Sequence, residues 1–196
     1  MNYLAHAYLS FQQPKILVGN MISDFVKGKK KFEFDKDVQE GIRLHRSIDM
    51  FTDAHEVTAE AKKVFKPSVG LYAGAFMDVV YDHFLARDIN ELIEKDWEEF
   101  ARNTYAVLYQ HEKILPERFA LMLPYMRSQN WLVNYRYKEG IKNSFKGLTR
   151  RAKYLDTSEK AYEAFEQHYE LLEACYKLFF PAVKKFALKQ VEEYLK

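Results

Sequence analysis

The sequence predicts an all-α fold, an irregular bundle of about eight or nine helices. Three observations carry that prediction. Apolar residues recur at three- and four-residue steps along most of the chain, as in Leu17, Met21 and Phe25. No alternating strand pattern of useful length occurs, and no internal repeat. Seven glycines and five prolines in 196 residues leave few turns and therefore long elements. That length fits a single domain over residues 1–196 with a sizeable core. A content of 48% hydrophobic and 16% aromatic residues excludes a disordered chain.

Met1–Phe11 reads as a short apolar helix, with Tyr3, Leu4, Ala7, Tyr8 and Phe11 on its buried side. Gln12, Gln13 and Pro14 break it. Ile16–Val26 is a second helix with Asp24 near its end, closed by Lys27 and Gly28, since glycine suits a left-handed cap. Gly28–Phe34 is a loop in which Lys27, Lys29, Lys30 and Lys31 cluster. It is either simply solvated or a contact for an anion or acidic partner. Asp35 is placed to cap a helix over Lys36–Met50, with Val38, Ile42, His45 and Asp49 down one face. Asp53 either caps the next helix, His55–Phe65, or joins a metal site.

Pro67 and Ser68 open a predicted helix to about Arg87, with Leu71, Ala75, Asp78 and Asp82 along one face. After a connection over Asp88–Asp96, Asp96–His111 is amphipathic, with His111 at its exposed end. Pro116 suits the first turn of a helix through Met126, bent at Pro124. Ser128–Tyr137 is short and aromatic. Lys138–Tyr154 is helical and basic on one side, through Lys142, Lys146, Arg150, Arg151 and Lys153. Ser158–Lys196 is a long helical pattern of core aromatics that Pro181 should kink or split.

The chemistry concentrates in Gly41–Asp53. His45 and Asp49 are four apart, so on a helix they point at one object. Asp78–His83 answers it: Asp78 and Asp82 repeat the spacing and His83 follows. Asn20 and Asp24 share it too, and His6 lies in the first helix. Each pair alone is an ordinary feature of a solvated helix, and a lone His such as His6 is often a packed core residue. Here both main stretches lie among apolar neighbours, where uncompensated carboxylates are costly to bury. A divalent metal shared by imidazole and carboxylate ligands from two helices answers that cost. An oxygen-rich set with few His favours Mn²⁺ or Mg²⁺ over Zn²⁺.

Other chemistries are missing. Neither GxxxxGK[ST] nor GxGxxG occurs, nor a G-x-S-x-G elbow, nor CxxC. The 30 Lys and Arg balance 28 Asp and Glu, so net charge gives no sign of nucleic acid as a partner. No apolar run approaches the ~18 residues of a membrane span, and no signal pattern opens the chain. Cys175 is the one cysteine, looks structural, and fits a reducing cytoplasm.

Taken together, MNYLAH, GNMISDFVKG, GIRLHRSIDMFTD, DVVYDHFLAR and SQNWLVNYR resemble the acyl carrier protein phosphodiesterase family, in order and spacing. The likeness is dense from Met1 to about Arg136. The chain departs from the family pattern at Val69–Tyr72, where a basic pair is frequent, and at Tyr81, where Trp is frequent. The resemblance implies a divergent HD-type metal phosphohydrolase, all-helical. It implies a metal-dependent phosphodiesterase that releases 4′-phosphopantetheine from holo-acyl carrier protein, with Mn²⁺ or Mg²⁺ as cofactor. It maps the metal ligands onto Asp24, His45, Asp49, Asp78 and Asp82, with His6 and His83 as further site residues. Arg46 would either stabilise charge on the phosphoryl group or orient Asp49 or Asp24. Lys27, Lys29, Lys30, Lys31 and Arg43 would face the acidic carrier protein. Two other readings stand beside this one: the same chemistry on a nucleotide or other small phosphate ester, and a non-catalytic helical binding protein.

Overall fold

In the computed structural model, which describes residues 1–196, the chain forms eleven α-helices and four short 3-10 helices, with no strand. The order begins α1 (Tyr3–Tyr8), α2 (Pro14–Ile22), α3 (Lys36–Ala54), α4 (Glu56–Val69) and α5 (Ala73–Arg87). It continues with α6 (Glu94–Gln110), α7 (Glu117–Ser128), α8 (Trp131–Asn134), α9 (Lys138–Arg151), α10 (Glu159–Gln167) and α11 (Tyr169–Leu195). One buried hydrophobic cluster draws on residues from Met1 to Val191. No helix is long and apolar enough to cross a membrane.

The closest crossing is between α2 and α3, and two glycines make it possible. A Cβ at Gly19 would lie 2.0 Å from the Val38 carbonyl oxygen, and one at Gly41 would lie 2.1 Å from that of Ile16. Any larger residue forces these backbones apart. Asp35 caps α3 as the sequence predicts, its side chain accepting from the Val38 amide at 3.0 Å. Phe65, Phe76, Phe145 and Phe165 knit α4, α5, α9 and α10 together. The Phe65 and Phe145 rings meet edge to face at 5.9 Å, an arrangement worth about 0.5–1.5 kcal/mol beyond the buried area.

Several boundaries differ from expectation. α1 ends at Tyr8, because Phe11 and Gln12 take positive φ to turn the chain into α2. α2 stops at Ile22, and Asp24 lies in the 3-10 turn Ser23–Phe25 that follows. α3 runs on to Ala54, and His55, not Asp53, caps α4. Asp53 pairs with Lys62. Pro67 sits in the last turn of α4 rather than opening α5. The break falls at Gly70, whose φ of 55° favours glycine. α11 runs through Pro181 without a break, and the division of the C-terminal stretch falls at His168 instead.

Candidate metal centre

Because Gly19 and Gly41 let α2 and α3 touch, Asn20 comes to lie against His45, one turn beyond Gly41. The His45 Nδ1–H donates to the Asn20 backbone carbonyl at 2.8 Å. That carbonyl belongs to the last turn of α2, where helix carbonyls lack a partner within the helix. The Asn20 side chain turns the other way. Its Nδ2 donates to the His6 carbonyl at 2.8 Å and to Ser10 Oγ at 3.1 Å. Its Oδ1 is therefore the acceptor for His6 Nδ1–H, also at 2.8 Å. One asparagine thus takes the Nδ1–H of both imidazoles and leaves both Nε2 atoms turned toward other partners.

Both Nε2 atoms face carboxylates. His6 Nε2 lies 3.2 Å from Asp49 Oδ1, is buried, and makes no hydrogen bond. His45 Nε2 lies 3.2 Å from Asp49 Oδ2 and 3.3 Å from Asp24 Oδ1. The donor atoms of His6, His45 and Asp49 all fall within 4.8 Å of one another. The two rings stack at 3.8 Å between centroids, with 15° between planes. A neutral imidazole's lone pair aimed at a carboxylate oxygen repels it unless a proton or a metal ion lies between them. The donor set therefore fits a divalent metal, with two imidazole nitrogens and carboxylate oxygen from Asp49.

The ionisation of these groups tells the same story. Burial opposes a charge on His45, but the bonds to Asp24 and Asp49 outweigh it and raise the pKa to about 9. Burial and the charge on His45 lower His6 to about 4. Asp49 is held well below the usual carboxylate range by the two histidines, against the effect of burial. Asp24 is lowered mainly by its bond to His45. A proton on His45 thus does, in this state, part of what a bound cation does.

The remaining sequence-predicted residues fall in different places. Asp78 lies at the edge of the cluster. Its Oδ1 is 2.8 Å from the Met1 amine, and that amine is 3.6 Å from Asp49 Oδ1. Burial raises the Asp78 pKa against the pull of the amine. Asp82 is not brought into the donor set. Its oxygens accept from the amides of Asn2 (3.1 Å), Leu4 (2.7 Å) and Ala5 (3.3 Å), so it anchors the first turn of α1. His83 is not brought in either. It donates from Nδ1 to the Tyr135 carbonyl at 2.7 Å, and its Nε2 meets the Tyr169 hydroxyl at 2.8 Å. Burial lowers its pKa to about 4. Adjacent helix residues point about 100° apart, so Asp82 and His83 face different neighbours.

Arg46 donates to the Val26 carbonyl at 2.9 Å, which braces the turn carrying Asp24. Arg43 is turned away from the lysine loop. It pairs with Glu40 and donates to Gln190 of α11 at 2.7 Å. Lys27, Lys29 and Lys30 are exposed, and Lys31 lies over the Phe32 ring. Lys27 and Lys30 line a cavity of about 610 Å³ that also contains Asp24. Sequence reasoning missed the bridging role of Asn20. The available signal was its place beside Gly19, since an isolated glycine inside a helical pattern usually marks a close approach.

The family model described as acyl carrier protein phosphodiesterase matches residues 1–183. Among individual proteins, the chain is similar to three bacterial acyl carrier protein phosphodiesterases. It is 32% identical to that of Photorhabdus laumondii over 152 residues, 77% of each chain. It is 34% identical to that of Enterobacter sp. over 164 residues, covering 83% of this chain and 85% of the relative. It is 35% identical to that of Escherichia coli strain K12 over 162 residues, covering 80% and 81%. No solved structure matches. With the family model over most of its length and relatives above 30% identity, the chain belongs to the acyl carrier protein phosphodiesterase family.

Proposed function

We propose that this protein is a metal-dependent phosphodiesterase that releases 4′-phosphopantetheine from the serine of holo-acyl carrier protein. The observation that carries the reading is the pair of Nε2 atoms, fixed by Asn20 and aimed at Asp49. His6, His45 and Asp49 would hold the ion, with Asp24 and Asp78 at its margin. Two nitrogens beside carboxylate oxygen rank Mn²⁺ ahead of Mg²⁺, which prefers an all-oxygen set. When bound, such an ion polarises a phosphoryl oxygen and makes water a better nucleophile near neutral pH.

The chain's own residues do the rest. Asn20 keeps both Nδ1 protons in place, so that the Nε2 atoms stay available as ligands. Asp24 is 74% exposed and joins the cluster through His45 alone, which suits it to accept a proton from entering water. The Arg46 contact with Val26 supports an orienting role toward Asp24. Lys27 and Lys30, exposed in the lining of the Asp24 cavity, and the exposed Lys29 between them in sequence supply positive charge for an acidic carrier protein. The reaction would take place in the cytoplasm, where the unpaired Cys175 meets reducing conditions.

The test is mass spectrometry of holo-acyl carrier protein incubated with this protein and Mn²⁺, Mg²⁺ or a chelator. Loss of the 4′-phosphopantetheine mass with metal, and none with chelator, is the expected result. Cleavage that survives the chelator sinks the metal dependence. No cleavage alongside turnover of a nucleotide ester moves the activity to a small substrate. For the partner surface, reversing Lys29, Lys30 and Lys31 to Glu should lower kcat/KM on the carrier protein by roughly tenfold at low salt. The loss should shrink at high salt, because screening sets in over about 8 Å at physiological ionic strength. Equal losses on a small phosphodiester would mean that the loop shapes the active site.

A further inference from the structure

A second cavity opens between α1, α5, α8 and α9, with a volume of about 520 Å³. That lies within the usual size of a small-molecule site, roughly 300–1,000 Å³. Its charge is one-sided. Lys146, Arg150 and Arg151 line it, and no carboxylate does. The neighbouring cavities differ, one holding Asp96 and Glu99 and the other Asp24, Glu33 and Glu117. The three cations take part in none of the ion pairs that Lys and Arg make elsewhere in the molecule. Three cations held around one concave surface without counter-charge are an arrangement that an anionic ligand relieves.

The cavity is also next to the donor cluster. Tyr3 lines it, one helical turn before His6 on α1, and Val79 lines it, next to Asp78 on α5. The Tyr3 phenol, raised to about 12 mainly by burial, is within the influence of both Arg151 and Asp24. The rest of the lining is neutral. Trp131 offers an aromatic face and Asn143 an exposed amide that makes no hydrogen bond to another side chain. Three cations beside a neutral amide and an aromatic ring describe a ligand that carries a phosphate and a neutral, amide-containing chain.

We infer that this cavity holds the 4′-phosphopantetheine group, its phosphate on the cations Lys146, Arg150 and Arg151 and its amide chain along Asn143 and Trp131. The inference rests on the proposed phosphodiesterase activity and adds the place where its small product is bound. Hydrolysis turns a singly charged diester into a monoester of about −2 charge, so the cations hold the product more strongly than the bridging group.

The test measures binding, in chelator, of free 4′-phosphopantetheine, dephosphorylated pantetheine and inorganic phosphate to the full-length protein by calorimetry. The double variant R150Q/R151Q is compared with the parent. Both side chains are exposed and unpaired, so the variant should keep its helical circular dichroism. Expected is binding of 4′-phosphopantetheine that weakens about tenfold or more in the variant, with pantetheine weak in both proteins. Equal affinity for 4′-phosphopantetheine in variant and parent overturns the site. So does inorganic phosphate binding as tightly as the whole group, since the chain would then contribute nothing. N143A and W131A test the chain: each should weaken 4′-phosphopantetheine and leave inorganic phosphate unchanged, and no effect from either removes the chain from the cavity. Cleavage of holo-carrier protein is scored independently. Cleavage with arginine-independent binding sinks the cavity and spares the activity. Arginine-dependent binding without cleavage does the reverse.

Discussion

His83 and the His6–His45 pair are all buried imidazoles on apolar helices, yet their surroundings are opposite. Both nitrogens of His83 are satisfied by the protein, one by the Tyr135 carbonyl and one by the Tyr169 hydroxyl. His6 and His45 are both held at Nδ1 by Asn20, while their Nε2 atoms face carboxylates and that of His6 makes no hydrogen bond. A buried histidine with two partners is a strut. One whose free lone pair confronts a carboxylate is half of a site, because only a proton or a metal ion completes it.

The sharpest way to break this contrast is to exchange the two kinds of residue. Asp49→Ala should weaken Mn²⁺ binding by more than ~100-fold, beyond what the loss of a residue that only orients a ligand costs. His83→Leu should leave Mn²⁺ binding unchanged in the same calorimetric titration. Comparable metal loss in both variants would erase the distinction.

Asn20→Ala comes next. It removes the side-chain bond that sets the His6 tautomer and leaves the backbone bond to His45 in place. Metal affinity should fall by about 10–100-fold. Nitrogen chemical shifts of the metal-free protein should show His6 losing its Nδ1–H preference and His45 keeping it. An unchanged His6 tautomer would mean that packing alone orients the ring.

The smallest effects concern stability. His83→Leu leaves a carbonyl and a hydroxyl without their partner, at a cost of about 1–3 kcal/mol in urea unfolding. The pH dependence should have opposite signs at the two places. His45 has its folded pKa raised to about 9, so its contribution is complete below about 6.5 and is lost as pH rises through 9. His83 has its folded pKa lowered to about 4, so its contribution is complete above about 6.5 and is lost as pH falls through 4. Unfolding curves of the metal-free protein should therefore lose part of their alkaline limb in His45→Ala, the Met1 amine holding another part. In His83→Leu they should lose part of the acid limb, the rest belonging to His6 and to the carboxylates of lowered pKa such as Asp24 and Asp49. The same limb lost in both variants would contradict the assignment.

Helical period made much of this legible in advance. The His45–Asp49 pair, the Asp35 cap and the core role of Phe165, Phe179 and Phe180 all follow from local spacing. What spacing cannot convey is which partner arrives from elsewhere. Asp78 and Asp82 share a helix face, but the start of α1 takes up the oxygens of Asp82. The bridging by Asn20 depends on the register in which α2 crosses α3, and two glycines set that register. Pro67 signals a helix start by local rules, yet the left-handed turn at Gly70 decides the boundary.

The anchoring of α1 by Asp82 bears on the order in which the molecule assembles. α1 has six residues, far fewer than the ~12–15 at which an isolated helix begins to hold in water. Its first turn is secured by a carboxylate 77 to 80 positions away in sequence, so its formation waits on the closure of a long loop around α5. α3 carries His45 and Asp49 on nineteen residues and needs no such wait. During folding two of the three donors therefore come together early on one helix, and His6 arrives last. A nascent or partly unfolded chain holds a bidentate fragment of the centre but not the centre itself, and hydrogen exchange in α1 should report the moment at which the third donor docks.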